Sequence, residues 1–157
     1  MRYAILAAAL ALSPVAHAQD CSTLDALLDY GAKDEFEGIL DEEVDDGVYE
    51  ATITFPRSDA CEVDVFATQY YCRWEAANAA DADKAILPLY DMAKVCLSEG
   101  WAWDDIAGKT FGSDMTILEG YQMTKQSGAH KGAVVRVLLA APANVTGRMV
   151  WLEIKPE

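Results

Sequence analysis

Four cysteines, Cys21, Cys61, Cys72 and Cys96, are the residues of this chain best equipped for covalent chemistry. None sits in a Cys-x-x-Cys pair, so thioredoxin-like exchange and a paired-cysteine zinc site both lack their spacing. Four cysteines read instead as two disulfides, in one of three connectivities. Histidine is scarce, with only His17 and His130 in the chain. A catalytic triad, a histidine zinc site or a histidine acid–base pair needs more than this. His130 lies in a polar loop, residues 125–132, and the ordinary reading is an exposed loop residue. No catalytic set, metal-ligand set or cofactor motif is recognisable, and a non-enzymatic role without a cofactor is expected.

Carboxylates are the one abundant reactive type. Asp and Glu number 26 against 12 Lys and Arg, giving a formal charge of −14. Asp34, Glu35, Glu37, Asp41, Glu42, Glu43, Asp45, Asp46 and Glu50 crowd a single span. Asp41-Glu-Glu-Val-Asp-Asp-Gly47 offers oxygens and a glycine, but its spacing fits no EF-hand. A carboxylate pair would also serve a glycosidase, although so many candidates select none. The bland reading of residues 34–50 is a solvated connection. Such a surface repels nucleic acid and anionic membranes and favours a cationic protein partner or divalent ions.

Aromatic residues supply the candidate binding surface. Trp101 and Trp103 share a face if their segment is a strand. Trp74 and Tyr71 lie close to a cysteine. Together these four could form a stacking platform for a sugar or a peptide, although aromatics more often fill cores.

The elements that must position these residues can be read from periodicity. Ser22 or Thr23 is expected to cap a first helix carrying Leu24, Leu27 and Leu28, weakened at Gly31, with a short turn after it holding Phe36, Ile39 and Leu40. A strand is expected over 48–55. Residues 61–65 and 69–74 read as a hairpin that sets Cys61 opposite Cys72, Val63 opposite Tyr70 and Val65 opposite Thr68. That local geometry favours a Cys61–Cys72 bond and leaves Cys21 with Cys96. A helix is expected over about 81–98, capped by Asn78 or Asp81 and kinked or delayed by Pro88. Trp101-Ala-Trp103 opens a segment without a clear period. Strands follow over 115–124, 133–140 and 148–154, the last two joined as a hairpin through 142–147. The order α-β-β-β-α-β-β-β describes an α+β domain, two helices packed on a largely antiparallel sheet.

The N-terminus has the form of an export signal: Arg2, an apolar run from Ala4 to Leu12, a break at Ser13-Pro14, and Ala16-His17-Ala18 as a cleavage site. Residues 1–18 are thus expected to be a signal peptide and 19–157 one domain of ordinary size. The apolar run falls well short of the roughly 20 residues that span a bilayer. Cys21 follows Gln19-Asp20, which does not suit lipid attachment. A periplasmic or secreted protein is expected.

Cys61, the run Tyr70-Tyr71-Cys72-Arg73-Trp74 and the helix end Val95-Cys96-Leu97 together resemble a recurrent pattern. It is similar to that of small uncharacterised bacterial periplasmic proteins with a strand cysteine, a Tyr-x-Cys-x-Trp strand and a helix ending in Cys-Leu. The resemblance covers about residues 21–101, supports the cysteine pairing above, and implies no activity. The α-β-β-α-β order is also similar to that of type III secretion chaperones, a likeness of element order alone. The expected role is an interaction or binding module, chaperone-like or inhibitor-like. A carboxylate-based cell-wall glycan hydrolase and a divalent-cation binder are the alternatives.

Overall fold

The computed structural model describes residues 15–142 and 147–157, with side chains from residue 20 onward. The expected signal segment falls outside the described residues up to residue 14, as do residues 143–146 of the expected 142–147 connection.

Helix α1 spans Val15–Asp34. It starts earlier than a cap at Ser22 or Thr23 would allow, so both residues lie inside the helix. Gly31 does not end it. A β-carbon at residue 31 would meet the Phe36 ring at 2.8 Å, and the missing side chain lets that fully buried ring close against the helix. A 3-10 turn, Glu37–Ile39, buries Ile39 as expected.

Among the described residues nine strands form one sheet: β1 (Leu40–Asp45), β2 (Val48–Ala51), β3 (Ala60–Asp64), β4 (Gln69–Ala76), β5 (Trp101–Asp105), β6 (Thr110–Phe111), β7 (Met115–Lys125), β8 (Val134–Pro142) and β9 (Arg148–Lys155). Their order is β1-β2-β3-β4-β9-β8-β7-β5, with β6 on β7. Every pairing is antiparallel. Helix α2 (Ala79–Cys96) lies between β4 and β5 in the chain. The architecture is α+β, two helices on one face of an antiparallel sheet, as the periodicity indicates.

Besides the helix starts, the sheet differs from the sequence reading in places. The acidic span is not merely a connection, because Leu40–Asp45 is a strand paired to β2. The strand expected over 48–55 ends at Ala51, and residues 52–59 form a turn-rich segment leading to β3. Short β6, absent from the sequence reading, pairs with the start of β7, beside the sheet face opposite the helices. There Ile106, Ile117, Leu138 and Ala140 make a second small core, packed by Phe111, Met115 and Trp151.

Helix α2 begins at Ala79, earlier than expected, and Asn78 caps it by accepting the Asp81 backbone N–H at 3.0 Å. Pro88 is held within it, on its exposed side. Ala82, Ile86, Leu89 and Ala93 recur at helical spacing and bury against the sheet. The facing strands supply Tyr70, Cys72 and Trp74 from β4, Val150, Leu152 and Ile154 from β9, and Val135 and Val137 from β8.

Cys61 opposes Cys72 in the β3–β4 register and is bonded to it. Cys21 bonds Cys96, joining α1 to the C-terminal end of α2. Two disulfides suit an oxidising, exported environment. Among the described residues no helix is long and apolar enough to cross a membrane.

Candidate functional site

The acidic end of the sheet is built from two adjacent hairpin tips. Strand β1 is the sheet's end strand, and Asp41 through Asp46 are all exposed. Two register shifts bend β1 against β2, a device that keeps an edge from pairing indiscriminately. Its chain reverses at Asp46-Gly47, with Gly47 at φ +72°. The Glu43 carboxylate accepts the Gly47 N–H at 3.2 Å, and Asp45 accepts that of Asp46 at 2.8 Å. The β3–β4 tip sits alongside, because the Val65 N–H donates to the Gly47 carbonyl at 2.9 Å. Asp64 organises that tip by accepting the N–H groups of Phe66 and Ala67, each at 2.9 Å. Phe66 is thereby held out at 76% exposure, its ring over Gly47. A large apolar ring fixed beside six successive exposed residues, five of them carboxylates, is an unusual surface for an isolated domain. Phe66 carries no period-2 partner in the sequence. The signal that finds it is its place at the turn, where a solvent-facing aromatic is not needed for the core.

The four aromatic candidates do not come together. Tyr71 and Trp74 are three apart in β4 and point to opposite sheet faces. Trp74 is buried on the helix side, where its indole N–H donates to the Pro56 carbonyl at 3.3 Å. It helps line a cleft of about 610 Å³ with Phe55, Arg57, Lys84 and Leu89. Tyr71 lies on the other face, 5.5 Å from the Trp151 ring. Trp101 and Trp103 do share a face, at the far margin of the sheet on β5. Lys125 sits over Trp101 at 5.4 Å, and the Trp103 N–H donates to the Leu97 carbonyl at 3.1 Å.

The sheet face opposite the helices carries a row of polar side chains one per strand: Glu62, Tyr71, Glu153, Arg136 and Gln122, in register across β3, β4, β9, β8 and β7. Arg136 donates to Glu153 and to Gln122, each at 2.8 Å. Burial raises the Glu153 carboxyl above its usual range, against the opposing pull of Arg136 and Lys155. Burial likewise raises the Tyr71 hydroxyl, and its hydrogen bond with Glu62 adds to this. Arg73 pairs with Glu62 at 3.4 Å. Each buried carboxylate is thus matched by an arginine, an arrangement that makes a sheet face rigid. Neither carboxylate lines the 610 Å³ cleft or the one of about 550 Å³ beside His130.

His130 meets Asp29 at 3.1 Å and ties its loop to α1. Among the described residues no group of three His, Cys, Asp or Glu side chains is arranged to hold a metal ion. Comparison with family models, with curated proteins and with solved structures finds no match to this chain, so its own geometry carries the functional reading.

Proposed function

We propose that this chain is an exported, non-catalytic interaction module that captures a basic protein partner at the acidic end of its sheet. The observation that carries the proposal is the exposed Phe66 ring, held over Gly47 beside the carboxylates of β1. A net charge of −14 steers a cationic partner from a distance. Phe66 then offers the aromatic anchor that stable interfaces concentrate their energy in. Both disulfides hold the surface in shape where reducing systems are absent.

The test uses the oxidised domain from Gln19 to Glu157 and a lysine-rich peptide, titrated at low and high salt. Binding that weakens with salt is expected. Phe66→Ser, or joint Asp41→Asn, Glu42→Gln and Asp46→Asn, is expected to weaken it about tenfold at unchanged fold. Undiminished binding by both variants would overturn the proposal.

A further inference from the structure

The opposite margin of the sheet holds a second arrangement of aromatic and acidic groups. The helices rest chiefly on β4, β8 and β9, which leaves the helix-side face of β5 and β7 partly open. Trp103 and Asp105 of β5 and Tyr121 and Glu119 of β7 share that face, with Asp105 directly opposite Tyr121 in register. Tyr121 is 37% exposed, and both carboxylates are exposed. Tyr90 of α2 closes the row from above. Its ring lies 5.4 Å from that of Tyr121, edge-on at 75°. The Tyr121 ring lies 5.8 Å from that of Trp103.

Tyr90 supplies the observation that points to a ligand. It is only 8% exposed, yet its hydroxyl is buried without a hydrogen-bond partner. Buried polar groups are seldom left so. Burial raises the Tyr90 hydroxyl well above its usual range, and the charges of Glu119 and Asp105 push it the same way. The phenol therefore stays neutral, with a proton to donate and lone pairs to accept with, in the field of two carboxylates.

Chemistry narrows the ligand. An anion would be repelled by Asp105 and Glu119, and a hard metal ion would gain nothing from three aromatic rings. A cation with an organic, weakly hydrated head fits both features, since ring faces and carboxylates each attract it. The same face already seats a cation on an indole, Lys125 over Trp101. Among the described residues none stands over Trp103 or Tyr121.

We infer that Trp103 and Tyr121, backed by the buried Tyr90, receive with the carboxylates of Asp105 and Glu119 the guanidinium group of an arginine of the partner. The inference rests on the reading of this protein as a binder of basic partners and gives it a second contact, at the other end of the sheet from Phe66.

The experiment titrates the oxidised domain with an acetylated, amidated peptide of alternating glycine and arginine, followed by indole and backbone amide resonances. Glutamine in place of arginine serves as the uncharged control. The arginine peptide is expected to shift the Trp103 indole signal, and the glutamine peptide is not. Glu119→Gln and Tyr121→Ser are each expected to weaken that response about fivefold, and Tyr121→Phe to retain it. Shifts confined to the Gly47 and Phe66 region, with Trp103 silent, would overturn this inference alone. An unchanged response in both weakening variants would do the same. No shift anywhere would overturn the inference together with the function proposed above.

Discussion

The Phe66 ring lies where any side chain on Gly47 would have to go. Gly47 also has φ +72°, a conformation costly for other residues. Gly47→Ala is therefore expected to destabilise the domain by about 1–3 kcal/mol, from backbone strain and displacement of the ring. Binding of a basic peptide should fall with it. Urea midpoints and peptide titration on the same samples check both effects, and wild-type stability would refute the αL turn.

The two disulfides should differ in value. Cys21–Cys96 closes a loop of 75 residues and Cys61–Cys72 one of 11. In the chain-entropy picture these are worth about 4.5 and about 3 kcal/mol. Cys21→Ser with Cys96→Ser should thus lower stability more than Cys61→Ser with Cys72→Ser. Chemical denaturation of both double variants checks the order.

Glu153 should leave a signature in the pH profile. Its carboxyl is raised above 4.5 by burial, so the folded state holds the proton more tightly than the unfolded chain does. Its contribution is fullest below the unfolded value and declines as pH rises through the folded one. Glu153→Gln keeps an acceptor oxygen for Arg136 and cannot ionise. The variant's stability relative to wild type should therefore grow as pH rises out of the ordinary carboxylate range. A difference that stays constant over that rise would contradict this reading of the Arg136–Glu153 pair.

Thr68 stands at φ +47°, a poor place for a β-branched residue. Thr68→Asn should relieve the strain and stabilise the hairpin by about 0.5–1 kcal/mol, because asparagine tolerates this conformation. Thr68→Val keeps the branch and should bring no gain. Thermal melts of the pair distinguish the two.

Local relationships are the ones the sequence makes legible. The Cys61–Cys72 hairpin is readable because its partners lie within a dozen residues and alternate regularly, although the ladder closes at Asp64 opposite Gln69, so that Val65 and Thr68 lie beyond it. Strand β1 is hidden for the opposite reason. Asp41 through Asp45 are exposed on both faces, so no buried alternation is written into them, and the pairing comes from β2. Trp103 and Trp101 are correctly placed on one face, but Tyr90 reads as ordinary helix periodicity. Only the seating of α2 brings it to Tyr121. The separation of Tyr71 from Trp74 follows from strand alternation and is visible once β4 is taken as one strand through both.

Strand β9 is the last strand in chain order and yet lies in the interior of the sheet, between β4 and β8. A polypeptide that emerges from its N-terminus delivers β1 to β4, α2 and all four cysteines before residue 148 arrives. Until then the β4 edge has no strand beside it, and α2, which packs on both β4 and β8, alone spans the gap between the two halves of the sheet. Synthesis that stops short of Arg148 would not trim a margin but remove the seam, which makes the closing residues the gate through which the whole assembly must pass.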